Sequence, residues 1–267
     1  MSEAKVDAGV DAGVRARHRY DPLRLGVPVA LLALAGAGWW WSLRTNDMGS
    51  AGEMTDMGSM SDHEVMSVAA FLVAWLAMMA AMMFPAIAPV VRLYGRAAAA
   101  GRVAPLPVFV TGYIAVWTAL GLPAYVGWRA LMGPVADGRA WTGRFAGAVL
   151  IGAALWQLTP LKAACLSHCR SPMSFFMRFG GSVARPLGAL RMGATHGLYC
   201  VGCCWALMAV VVAMGTMSLL WMAGLTLLIF LEKNARHPER VANAAAVVFV
   251  ALGAVLILYP SNLTAVT

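Results

Sequence analysis

The chain has 267 residues, 61% of them hydrophobic and 12% charged, with a formal charge of +8. A soluble domain carries about a quarter charged residues, so a water-soluble globular fold is excluded and a polytopic membrane protein is indicated. The positive charge sits in the segments between apolar runs and is not a nucleic-acid footprint.

Taken in chain order, residues 1–23 form a basic tail, and the first apolar run, about 24–43, is preceded by Asp, Arg and Pro. It lacks a small-residue cleavage site, which predicts a retained transmembrane helix rather than a signal peptide. Residues 44–64 then form a polar, acidic loop that includes most of the stretch MTDMGSMSDHEVM. Within it Met54, Met57, Met60 and His63 recur at every third position among Asp, Glu, Ser and Gly. Thioether and imidazole groups at this spacing suit a segment that gathers Cu(I) weakly. A solvated linker with the same composition is the alternative.

A membrane domain is predicted over 65–260, with six further spans at about 66–91, 105–128, 145–164, 190–213, 216–232 and 241–259, and a tail at 261–267. The expected fold is therefore an all-α transmembrane bundle of about seven spans. No soluble domain is long enough to fold alone, and no internal repeat is evident. Arginine and lysine set the orientation. Sixteen of the twenty fall in alternate segments: Lys5 to Arg24, Arg92 to Arg102, Lys162 to Arg191, and Lys233 to Arg240. The intervening segments hold only Arg44, Arg129, Arg139 and Arg144. This pattern predicts a cytoplasmic N-terminus, an external C-terminus and an external Met/His loop. Retinal proteins share that layout but need a lysine inside the last helix, and 241–259 has none.

The span at 66–91 contains WLAMMAAMMFPAIAP, in which Met78/Met82 and Met79/Met83 are two pairs spaced one helical turn apart. Pro85 removes a backbone hydrogen bond and is expected to bend the helix. The fourth span runs into WQLTPLKAACLSHCRSP, where Pro160 is expected to break or kink it near the cytoplasmic face. If helix resumes there, Cys165, His168 and Cys169 share one side, next to Lys162 and Arg170, whose charge would favour thiolate. Such a Cys/His set suits a soft metal and could also hold Zn²⁺. The SPMSFFMRFGG that follows is amphipathic and expected at the interface.

The fifth span reads RMGATHGLYCVGCCWALM. At 100° per residue Met192, His196, Cys200 and Cys203 fall on one stripe, with Cys204 at its edge. Gly193 and Gly197 form a face that lets a neighbouring helix approach closely. Cysteine also packs helices as a small hydrophobe, but one histidine and three cysteines in His-x3-Cys-x2-Cys-Cys on one face favour a site. Met82 lies ten residues from Arg92 and Cys200 nine from Arg191. Both then sit roughly 13–15 Å above the cytoplasmic edge, which predicts one site between these helices, built from Met78 or Met82 with Cys200 or Cys203. All five cysteines fall in the cytoplasmic half, where thiols stay reduced, so a disulfide framework is not expected. Glu232, in LEKNARHPER, is the one candidate for an intramembrane carboxylate of the kind that carries protons or Na⁺, and is read instead as an interfacial partner of Lys233 or Arg191.

The motifs MMAAMMFPAIAPVV, WQLTPLKAACLSHCRSP and GATHGLYCVGCCWALM, with the later LEK, resemble the bacterial family catalogued as domain of unknown function 2182. That resemblance covers about residues 65–235 and implies metal binding in the inner membrane. The residues themselves point to Cu(I) handling, with a metal chaperone or membrane metalloenzyme as partner. No Walker motif, phosphorylatable Asp motif or soluble catalytic domain is present, so any Cu(I) transport is expected to be passive or coupled to a partner, and an enzyme is the less favoured reading. A thiol–disulfide oxidoreductase using Cys200, Cys203 and Cys204, or a structural subunit, are the alternatives.

Overall fold

Ser67 opens the first long helix. Its Oγ accepts a hydrogen bond from the Ala70 amide at 3.2 Å, satisfying one of the free donors of the first turn. The computed structural model describes residues 67–137, 139–171, 177–214 and 219–260, together with Ala33, Gly36, Ala37 and Trp40. The tail 1–23, the loop 44–64 with Met54, Met57, Met60 and His63, residues 215–218 between the expected fifth and sixth spans, and the tail 261–267 lie outside the described residues. So do most of the first span and residues 172–176 of SPMSFFMRFGG.

Among the described residues all regular structure is helical: α1 (Val68–Ala99), α2 (Leu106–Ala136), α3 (Ala140–Gln157), α4 (Pro160–Arg170), a 3-10 turn (Gly180–Ala184), α5 (Pro186–Ala213), α6 (Leu219–Asn234) and α7 (Pro238–Leu258). Proline sits at the start of α4, α5 and α7, where its missing N–H costs no hydrogen bond. α1 continues from Val68 to Ala99 with Pro85 and Pro89 inside it, so Pro85 does not end the helix.

The expected span at 145–164 is two helices. α3 stops at Gln157, α4 starts at Pro160, and the pair is bent by 68°. Proline cannot donate to the turn before it, and Thr159 caps the new helix by accepting from the Lys162 amide at 3.2 Å. Among the described residues four helices are long and apolar enough to cross a bilayer: α1, α2 over Leu106–Val135, α5 and α7. The bent pair would make a fifth. The described part of α6 covers 16 residues. Their outward faces are apolar: Val126, Val247 and Leu258 are 67%, 70% and 72% exposed.

α5 is the central helix, touching α2, α3, α4, α6 and the 3-10 turn. Its closest neighbour is α2. A Cβ on Gly193 would strike the Phe109 carbonyl, and one on Gly112 would strike the Leu190 carbonyl. The small-residue face therefore lets the backbones touch, as the Gly193/Gly197 spacing predicts. α1 packs mainly on α2 and α6. It is fastened to α2 by the Trp75 indole, which donates to the Trp117 carbonyl at 3.0 Å.

Candidate metal centre

The stripe on α5 faces inward along its whole length. Met192, His196, Cys200, Cys203 and Cys204 are all at most 2% exposed. The Cys203 and Cys204 thiols donate back to the Cys200 carbonyl at 3.0 and 2.9 Å, which turns both sulfurs toward the previous turn. From α4, the buried Cys169 brings its thiol beside those of Cys200 and Cys203.

Cys200 Sγ is the hub. Lys233 of α6 donates to it at 2.9 Å, the Tyr113 hydroxyl of α2 lies at 3.3 Å, and Met83 Sδ of α1 at 4.0 Å. Lys233 Nζ is also 3.9 Å from Met83 Sδ. Five helices thus contribute to one buried cluster. His196, one turn before Cys200, sits between the rings of Phe109 and Tyr113, with centroids 6.1 and 5.9 Å away.

The sulfur donors of α1 are buried as a group. Met78, Met79, Met82 and Met83 are each at most 6% exposed. The thioether found against Cys200 is that of Met83, a member of the second pair, rather than Met78 or Met82. The other expected cluster separates. Cys169 is buried with the α5 thiols, while Cys165 packs against Gly202, where a Cβ would come within 2.8 Å of its sulfur. His168 is exposed; its ring stacks on Tyr199 at 4.8 Å and its Nδ1 lies 2.8 Å from the Ala164 carbonyl. α4 carries these three side chains to three different surroundings.

The charges also differ from expectation. Glu232 is not an interfacial partner of Lys233 or Arg191. It is 2% exposed and pairs with Lys162 at 2.7 Å, with the Gln157 amide donating to the same oxygen at 2.8 Å. Lys162 is therefore spent on Glu232 and not on the α4 thiols. The cation among the thiols is Lys233, a residue that spacing alone did not single out. Its signal was a lysine at the end of an apolar run, where a buried charge marks function. Tyr113 had no comparable signal, being one aromatic in an apolar span.

Among the described residues, no three His, Cys, Asp or Glu side chains stand as a ready-made metal cage. What converges instead is thiols, a thioether and an ammonium. Sulfur donors of this kind favour soft ions over Mg²⁺ or Ca²⁺.

A buried sulfur cluster of this kind has the chemistry that soft metal ions prefer. The family is given by residues 72–256, which match the PpoB2 family, described as a copper chaperone, and the chain belongs to it. No curated protein and no solved structure matches the chain.

Proposed function

We propose that this protein is a Cu(I) chaperone of the bacterial inner membrane, carrying the ion as cargo on two of the thiols Cys200, Cys203 and Cys169, with Met83 as a neutral third ligand. The observation that supports it most is the meeting of Cys200 with Met83 and Cys169, three sulfurs from three helices, inside a family described as a copper chaperone. Two or three soft ligands satisfy Cu(I), whereas Zn²⁺ prefers four in a tetrahedron. Cys204 and His196 adjoin the cluster and would orient it or share the ion. On this reading the motifs shared with domain of unknown function 2182 are the copper-binding core. The chain spans the membrane seven times with its N-terminus in the cytoplasm. The Met54–His63 loop gathers copper outside, and Cys165 and His168 face the route on the cytoplasmic side. The receiving or donating partner is another copper protein.

The test is copper titration of the purified, reduced protein under anaerobic conditions against a chromophoric Cu(I) chelator. Wild type should hold copper. The Cys200→Ser/Cys203→Ser variant should lose it while keeping its helical content and melting temperature. Wild-type copper content in the double variant would end the proposal. A Cys200–Cys203 disulfide that cycles with a partner, in protein without copper, would favour the oxidoreductase reading instead.

A further inference from the structure

The sulfur cluster holds a cation of its own. Lys233 is 7% exposed and its ammonium touches Cys200 Sγ at 2.9 Å and Met83 Sδ at 3.9 Å. Its neighbour Glu232 turns away, to Lys162 and Gln157. Among the described residues no carboxylate lies within ion-pair reach of Lys233. A buried ammonium needs a negative partner, and the groups around this one are thiols.

We infer that Lys233 is the selectivity residue of the site: a resident positive charge that fits the cluster to one monovalent metal ion on two thiolates and disfavours a divalent ion. The inference rests on the proposed Cu(I) site. Two thiols that bind Cu(I) give up their protons to the medium and leave a complex with a single negative charge. The Lys233 ammonium cancels that charge, so the loaded cluster is neutral where charge is most costly. Around Zn²⁺ the same two thiolates are already neutral, and Lys233 becomes an uncompensated buried cation. A third thiolate would restore the balance for zinc. Among the described residues, however, no three His, Cys, Asp or Glu groups stand in metal-ligating geometry. Met83 fits the same scheme, because a thioether adds a soft ligand without adding charge.

The experiment compares wild type, Lys233→Met and Lys233→Arg as full-length proteins in detergent, reduced and anaerobic. Each is titrated with Cu(I) against a chromophoric chelator and then challenged with Zn²⁺. Wild type should keep Cu(I) against about a hundredfold excess of Zn²⁺. Lys233→Met should lose Cu(I) affinity by on the order of a hundredfold and narrow the gap to zinc, since one member of a buried charge pair is gone. Lys233→Arg should keep the wild-type preference. Unchanged copper affinity and unchanged preference in Lys233→Met would overturn the role of Lys233 and leave the copper site standing. A wild type that binds no Cu(I) at all would instead sink the site. Should Lys233→Met fail to fold, the wild-type competition decides: copper held against zinc supports the inference, and equal uptake of both ions overturns it.

Discussion

At the scale of single residues, Cys200 is distinguished by its neighbours rather than by its burial. Cys203 and Cys204 are as buried, but Cys200 alone gathers an ammonium, a phenol and a thioether from three other helices. Met83 and Met78 make the sharpest comparison. Both are buried methionines on α1, and Met→Leu nearly conserves volume, costing less than about 1.5 kcal/mol of stability in each case. Met83→Leu should nevertheless weaken Cu(I) binding, because it removes the sulfur next to Cys200, while Met78→Leu should leave it close to wild type. Chelator competition on the two variants checks this. Equal effects, or a larger one at Met78, would mean that α1 presents its first methionine pair to the ion.

At the scale of elements, the bent pair α3/α4 is what brings Cys169 to α5. The bend is held from inside by Lys162, Glu232 and Gln157, which tie the start of α4 and the end of α3 to the end of α6. The same two residues of α6 thus serve two neighbours: Glu232 holds the bend and Lys233 reaches the thiols. Removing one member of a buried ion pair strands the other, so Lys162→Met should destabilise the protein by about 3–5 kcal/mol. Replacing both partners should be far milder, because a buried pair is often matched by apolar groups of similar volume. The thermal midpoint of Lys162→Met should therefore fall steeply, and adding Glu232→Gln should restore part of it. Additive losses in the double variant would show that the two side chains are not coupled.

At the scale of the whole molecule, the arrangement is a helical bundle that is apolar on its outside and polar at one interior point. Exposed Val126, Val247 and Leu258 suit lipid, while Lys162, Cys169, Cys200, Glu232 and Lys233 are turned inward. This inversion of the usual soluble pattern agrees with four helices, or five with the bent pair, long and apolar enough to cross a bilayer. The alternation of basic segments predicts that a reporter fused after Thr267 is active only on the external side. Activity in the cytoplasm would mean that the number of crossings is even. α6 and the bent pair are where the count would change.

The sequence by itself determined the helical class, the close-packing face of α5 and the inward stripe of His196, Cys200 and Cys203. Each of these depends on residues within one helix, where a period of 3.6 relates spacing to direction. It also carried the break at Pro160, since proline acts on the turn next to it. Tertiary structure alone decided which side chains meet across helices. Periodicity gives α1 two equivalent methionine pairs 100° apart, and only its packing on α2 and α6 chose the turn that sets Met83 against Cys200. That α1 methionines and α5 cysteines lie at one level was legible from spacing, and which methionine of α1 faces Cys200 was not. The bend between α3 and α4 likewise divided Cys165, His168 and Cys169 among separate surroundings. α6 sent Glu232 to one neighbour and Lys233 to another, because adjacent residues on a helix point about 100° apart and each charge had to find a buried partner of its own.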